Sequence, residues 1–306
     1  MKIVYMGTPD FAVPALKALA NDPKHQVAAV FTQPDKPQGR KMILTPPDVK
    51  VCAQELDIPV YQPVSMKTDE AYDLLKKIAP DVIVVAAYGQ ILPERVLKLP
   101  PYGCVNIHGS LLPKYRGAAP IQQAVLNGDA VTGVTSMLMD VGLDTGDILL
   151  KKETPIGENE TSAELFDRLS VLGGELIRET LDALEKGTVT PQKQDGSLAT
   201  HTSKIDKSMC PVDFTQTAQK VHDQIRGLYS WPVATAVICG KRVKIHKARK
   251  SDKSGKPGEI LSVRPLVIAC SEGAIEILEL QPEGKKKMTA EAFAAGHQLQ
   301  IGDLAE

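Results

Sequence analysis

The sequence predicts an α/β protein: a doubly wound, mostly parallel Rossmann-like sheet over residues 1–187, a linker over 188–210, and a small antiparallel, OB-like β-barrel over 211–306. Three observations predict it. Short apolar strands alternate with amphipathic helices through the first 150 residues, the rhythm of a sheet built from βαβ units. Asp81–Ala87 carries Val-Ile-Val-Val-Ala-Ala, a continuous β-branched run of the kind that a parallel strand covered on both faces requires. After residue 210, short β-rich runs follow one another too closely for helices between them.

Each element has its own grounds. Lys2–Met6 reads as the first strand, and Gly7-Thr8-Pro9-Asp10 as a turn with Asp10 capping a helix over Phe11–Ala20. Pro14 fits there, because the first helical turn has no internal N–H partner to lose. Val27–Thr32 is the next strand. Lys67–Ile78 reads as a helix with acids early, lysines late and Pro80 as its stop. A long helix opens on the capping box Thr161-Ser162-Ala163-Glu164 and ends before Gly187, with Leu165, Leu169, Leu172, Leu176 and Leu184 at helical spacing. The polar stretch from Thr188 to Cys210 reads as the linker. A helix near Thr215–Leu228 precedes strands at Val233–Cys239, Arg242–Lys247, Glu259–Val263, Leu266–Cys270 and Ile275–Leu280.

Composition narrows the class. The chain has 306 residues, enough for two cores, and a net charge of −1. No apolar run is long enough to cross a bilayer, and the opening residues lack the pattern of a signal peptide, so a cytoplasmic protein is expected. Five cysteines without a Cys-x-x-Cys argue against a disulfide framework or zinc ribbon, and no metal is expected. Residues 201–306 hold 16 Lys/Arg against 12 Asp/Glu, and the rest 20 against 25, a weak sign of an anionic partner for the basic part.

The chemistry concentrates in Gly103-Cys104-Val105-Asn106-Ile107-His108-Gly109. Alternation along a strand puts Asn106 and His108 on one face and Val105 and Ile107 on the other. Two such polar groups near the end of an internal strand are costly to bury unless hydrogen-bonded or used, and open α/β sheets bind ligands at strand C-terminal ends. Either a satisfied polar pair or a catalytic pair fits these residues. Gly142-Leu143-Asp144-Thr145-Gly146-Asp147 is composed as a turn; a carboxylate from it near His108 would orient the ring and support a charged imidazolium. Gly7-Thr8-Pro9-Asp10-Phe11 is unlike a Gly-x-Gly-x-x-Gly dinucleotide loop, and no Walker A sequence or Gly-x-Ser-x-Gly elbow is present.

Asn106 to Gln122, including Asn106-Ile107-His108-Gly109-Ser110-Leu111-Leu112-Pro113 and Gly117-Ala118-Ala119-Pro120-Ile121-Gln122, resembles the signature of the methionyl-tRNA formyltransferase family, within the folate-dependent formyltransferases. Gly133-Val134-Thr135 with Met139–Asp147, Gly7–Phe11, Phe31–Arg40, Ala87–Pro93, Trp231-Pro232 and Leu278–Lys286 are similar to it as well, so the resemblance covers nearly the whole chain. After Arg40 the family usually continues Gly-Lys-Lys, where this chain has Lys41-Met42-Ile43; Phe214 stands for a usual Trp, and Tyr229-Ser230 for a usual Asn-Pro.

The resemblance implies transfer of the formyl group of 10-formyltetrahydrofolate to the α-amine of initiator methionyl-tRNA, in translation initiation. It implies that Asn106, His108 and Asp144 are catalytic. It also implies that Tyr88, Gly89, Ser110, Leu111, Leu112 and Pro113 line the folate pocket. Lys36, Arg40 and Lys41, on a loop with no strand or helix period, and Arg242, Lys244 and Lys247 on the barrel would meet tRNA. On the strand Arg242–Lys247, Arg242, Lys244 and His246 share a face while Val243 and Ile245 point inward; a solvated edge strand explains the same lysines. A monomer is expected. The other readings are an amino-sugar formyltransferase, a formyl-folate hydrolase, and a non-catalytic RNA-binding protein.

Overall fold

The computed structural model describes residues 1–39 and 41–306, arranged in two compact units. The first comprises Met1–Gly117, Thr132–Thr154 and Phe166–His201; the second comprises Ala118–Val131, Pro155–Leu165 and Thr202–Glu306. The units therefore interleave along the chain.

The first unit is built on seven strands: β1 (Lys2–Gly7), β2 (Gln26–Phe31), β3 (Val60–Tyr61), β4 (Val82–Ala86), β5 (Cys104–His108), β6 (Val131–Leu138) and β7 (Ile148–Pro155). Their order is β7-β6-β5-β4-β1-β2-β3. The pairs β1–β2, β1–β4, β2–β3 and β4–β5 are parallel, and β6 joins β5 antiparallel. Strand order reverses at β1, the arrangement that opens a ligand crevice at the C-terminal ends of the central strands.

Helices α1 (Val13–Ala20), α2 (Asp48–Glu55), α3 (Asp69–Ile78) and α4 (Ser162–Glu185) follow the strands. Alternation sends Val4, Met6, Ile83, Val85 and Cys104 into one core with Ala71 and Leu75 of α3. Tyr5, on the opposite face of β1, donates from its hydroxyl to the carbonyl of Ala12 at 2.5 Å. On that face Gly174 of α4 packs against the backbone of Pro14, and Gly173 against Ile107. All five residues of β4 are buried, as their unbroken apolar run requires.

The predicted capping box forms: Thr161 N donates to Glu164 Oε2 at 2.9 Å, and Glu164 N to Thr161 Oγ1 at 3.3 Å. The Thr161 N–H holds the Glu164 carboxyl below its ordinary value, so this contribution is present at neutral pH and is lost as pH falls through the lowered value. Asp10 caps differently from the expectation. Asp10–Ala12 is itself a 3-10 turn, with Asp10 Oδ1 accepting from the adjacent Phe11 N at 2.9 Å, and the α-helix starts only at Val13. Helix α2 was not anticipated; its Val49 and Val51 carry β propensity that tertiary packing of Val49, Cys52 and Ala53 overrides.

The second unit is an antiparallel sheet: β8 (Ala234–Ile238), β9 (Lys241–Ser251), β10 (Ile260–Val263), β11 (Leu266–Ala269) and β12 (Ala274–Pro282), ordered β8-β9-β12-β11-β10. Residues 302–306 join its two edges. Leu304 bridges Glu259 beside β10, Ala305 bridges Ile238 at the end of β8, and Glu306 N donates to Val237 O at 2.8 Å. Closure makes the sheet a barrel and leaves no open edge between β8 and β10. Gly258 permits it, since a side chain there would lie 2.5 Å from the Ala305 carbonyl. Helix α5 (Ala218–Gly227) supplies Val221 and Ile225 to the barrel core, and α6 (Ala290–His297) supplies Phe293. Among the described residues, no helix is long and apolar enough to cross a membrane.

Candidate active site

Asn106 and His108 lie at the C-terminal end of β5, Asn106 beside Val85 and Met137, His108 beside Thr135. They are 8% and 6% exposed. Gly173 of α4 lies close under Ile107 between them, seating the apolar face of the strand while the polar face stays with the crevice. Among the described residues the Asn106 amide makes no hydrogen bond and is not among the buried polar atoms left without a partner, so its donor remains open to solvent or a ligand.

His108 is held from two sides. Its Nε2 lies 2.8 Å from the Tyr115 carbonyl, which can only accept, so Nε2 carries a proton. Nδ1 is then the nitrogen that gains and loses a proton, and it faces Asp144 Oδ2 at 3.7 Å. That distance is too long for a hydrogen bond and leaves the carboxylate facing the ring nitrogen.

Asp144 reaches this place from the loop after β6. Asp140 Oδ1 accepts from Gly142 N at 3.0 Å and Thr145 Oγ1 at 2.6 Å, closing the loop on itself. Gly146 passes so near the Leu138 carbonyl that a Cβ would lie at 1.7 Å, which excludes any side chain. Asp144 adopts φ 53°, and its Oδ2 accepts from Gly117 N at 2.7 Å. The segment is thus both the turn its composition suggests and the carrier of a carboxylate aimed at His108.

The residues expected to line a folate pocket are placed unevenly. Leu112 is buried with Met137 and Ile148, and Ser110 is buried with its hydroxyl donating to Lys114 O at 2.6 Å. Leu111 and Pro113 are half-buried. The Tyr88 ring packs in the sheet core, its carbonyl accepts from Thr8 Oγ1 at 2.8 Å, and Gly89 has φ 79°. Main-chain groups here are engaged as well: Tyr88 O also accepts from Gln33 Nε2 at 3.3 Å, Ser110 O accepts from Thr135 Oγ1 at 2.6 Å, and Leu112 N donates to Thr135 Oγ1 at 3.1 Å.

The basic segments differ from expectation in one respect. Lys36–Gln38 pairs antiparallel with Ile43–Thr45, so this stretch is a two-stranded ribbon and not an irregular loop. Its base is anchored by Asp35, which accepts from Lys50 Nζ at 2.8 Å and Gln62 Nε2 at 2.7 Å. Local sequence did not reveal this, because both anchors come from outside the segment. Lys36 and Lys41 are exposed, and Arg40 lies outside the described residues. On β9, Val243 and Ile245 are buried and Arg242 and Lys244 exposed, in the predicted alternation. A bulge around Lys247 restarts it, turning Lys247 out and Ala248 in. Arg249 and Lys250 are paired with Glu276 and Glu158, whereas among the described residues no acid lies within ion-pair distance of Arg242, Lys244 or Lys247. Arg242 and Lys244 line a cavity of about 440 Å³ with Lys207, Cys210 and Gln281.

Gln194 was missed altogether. It lies in the stretch read as a linker, yet its amide bonds Arg116 and the carbonyls of Asp144 and Gly146. No local signal marks a polar residue whose partners lie about fifty and eighty residues earlier.

The chain, a doubly wound sheet carrying this polar trio and then a closed barrel, belongs to the formyl transferase family. The family model described as formyl transferase matches residues 1–181, and that for the formyl transferase C-terminal domain matches residues 204–298. Similar relatives are the methionyl-tRNA formyltransferases of Macrococcus caseolyticus, 50% identical over 302 residues (98% of this chain, 97% of the relative), and of Citrifermentans bemidjiense, 47% identical over 306 residues (99% and 96%). The solved N-formyltransferase from Helicobacter canadensis, in complex with folinic acid and dTDP-3-aminofucose, shares the fold with a TM-score of 0.69 at 22% identity, covering 94% of this chain and 100% of that one.

Proposed function

We propose that the chain transfers the formyl group from N10 of 10-formyltetrahydrofolate to the α-amine of methionine on initiator methionyl-tRNA. The observation that carries the chemistry is an Asn106 amide with no protein hydrogen bond among the described residues, on the same strand face as a His108 whose Nδ1 faces the Asp144 carboxylate. Near full-length identity with methionyl-tRNA formyltransferases selects the acceptor.

The amine attacks the formyl carbon, and the carbonyl oxygen becomes an oxyanion. The Asn106 N–H donates to that oxygen, where a fixed dipole costs no reorganisation. Protonated Nδ1 of His108 adds positive charge beside it, balanced by Asp144. The attack makes the new C–N bond to methionine; collapse of the tetrahedral centre then breaks the C–N10 bond, and the proton lost by the methionine nitrogen is delivered to N10. Tyr115 keeps Nε2 out of this exchange. The segments Tyr88–Gly89 and Ser110–Pro113 would supply the folate contacts, through Leu111, Pro113 and the main-chain groups not already bonded to Thr8, Gln33 and Thr135. Lys36, Arg40 and Lys41, and Arg242, Lys244 and Lys247 on the barrel, would meet tRNA phosphates.

The tRNA part of this reading is tested by salt. Arg242→Ala with Lys244→Ala should weaken tRNA binding and reduce its log–log salt slope by about 0.7 to 0.9 per lost contact, with turnover at saturating tRNA retained. Normal affinity with an unchanged slope would make β9 a solvated surface and leave the RNA to the ribbon.

A further inference from the structure

Both polar atoms of the Gln194 side chain are engaged around the candidate active site. Oε1 accepts from Arg116 Nε at 3.0 Å and Nη2 at 2.8 Å, while Nε2 donates to the carbonyls of Asp144 and Gly146, both at 2.8 Å. Two N–H groups meet two acceptors, and one oxygen meets two donors, so the amide orientation is fixed. Asp144 has φ 53°, and where its carboxylate points depends on how its main chain is held. The same carboxylate accepts from Gly117 N, directly after Arg116. Gln194 therefore ties together the two loops whose meeting brings Oδ2 to His108 Nδ1.

Thr200, in the same returning segment, secures the other side of the ring. Its Oγ1 accepts from Tyr115 N at 2.8 Å, and its carbonyl from Arg116 N at 2.8 Å. The carbonyl of Tyr115 in turn accepts from His108 Nε2. The segment from Gln194 to Thr200 thus holds the partners of both ring nitrogens, and among the described residues it makes no hydrogen bond to the ring itself.

We propose that Gln194, assisted by Thr200, is a positioning residue that sets the Asp144 carboxylate against His108 Nδ1. The consequence for rate rests on the formyl-transfer reading; the consequence for geometry does not. Loss of the two Nε2 bonds frees the Asp144 and Gly146 carbonyls, and the carboxylate leaves its place between Gly117 N and Nδ1. A displacement of the order of an ångström in such a group costs about 100-fold in rate.

Gln194→Glu in the full chain is the most informative variant. It keeps the volume and the partner of Arg116 but turns two donors into acceptors facing two carbonyls. Gln194→Ala removes both sides and serves as its companion; if it fails to fold, the Glu variant decides alone. Turnover should fall about 10- to 100-fold in both, with KM for folate and tRNA little changed and the pH–rate profile altered. In an Asp144→Asn background either change should cost little more, because the positioned charge is already gone. The Gly117 amide proton, followed by NMR, should lose the downfield shift due to Asp144 Oδ2 in Gln194→Glu. That signal needs no activity, so it decides the positioning role even if the parent protein formylates nothing, an outcome that would remove only the formyl-transfer reading. A folded Gln194→Glu protein with parental turnover, pH profile and Gly117 shift would overturn the proposal, as would fully additive losses with Asp144→Asn.

Discussion

Asn106→Ala is expected to lower turnover by about 100- to 1,000-fold, the typical effect of deleting one donor to a developing oxyanion. Folate affinity should change little, because the donor acts on charge that exists only in the transition state. The side chain is 8% exposed and has no protein acceptor among the described residues, so truncation breaks no internal hydrogen bond. Stability should fall only by the small packing loss of a shortened side chain. Rate and stability are therefore separable, and a thermal melt run beside the kinetics checks that the loss is catalytic. Near-parental turnover in a folded Asn106→Ala protein would remove Asn106 from the reaction.

Asp144→Asn is expected to cost about 100- to 10,000-fold, the range over which positioned acid–base groups contribute. The substitution keeps the size of the side chain, and an amide oxygen can still accept from Gly117 N, so the loop should persist. What disappears is the negative charge 3.7 Å from His108 Nδ1. Without it an imidazolium formed at His108 during the reaction loses its counter-charge, and the pH–rate profile should differ from the parent's. Unchanged rate and profile would reduce Asp144 to a turn residue.

These effects turn on elements of unequal legibility in the sequence. The face shared by Asn106 and His108 was legible, because strand alternation is a local property and the flanking apolar residues Val105 and Ile107 declare the other face. So was the Thr161–Glu164 box, whose partners lie within one helical turn. Asp144 was legible as a turn residue, but its approach to His108 is a long-range contact made by folding. Gln194 and Thr200 were hidden for the same reason: a polar, Pro- and Gly-bearing stretch reads as a connection wherever its hydrogen bonds go. The barrel strands were readable one by one, whereas their closure by residues 302–306 depends on backbone pairing that leaves no side-chain period. The ribbon of Lys36–Gln38 with Ile43–Thr45 is short, carries a proline, and rests on anchors at Lys50 and Gln62.

Labelled 10-formyltetrahydrofolate offered together with competing acceptors measures formyl transfer to charged initiator tRNA. The acceptors are methionyl-tRNA, the same tRNA uncharged, a nucleotide-linked amino sugar, and water. The account predicts label on the methionine α-nitrogen of charged tRNA, none on uncharged tRNA, and loss of that product in Asn106→Ala and Asp144→Asn. Label on the amino sugar instead, or free formate released at the same rate without tRNA, would contradict it.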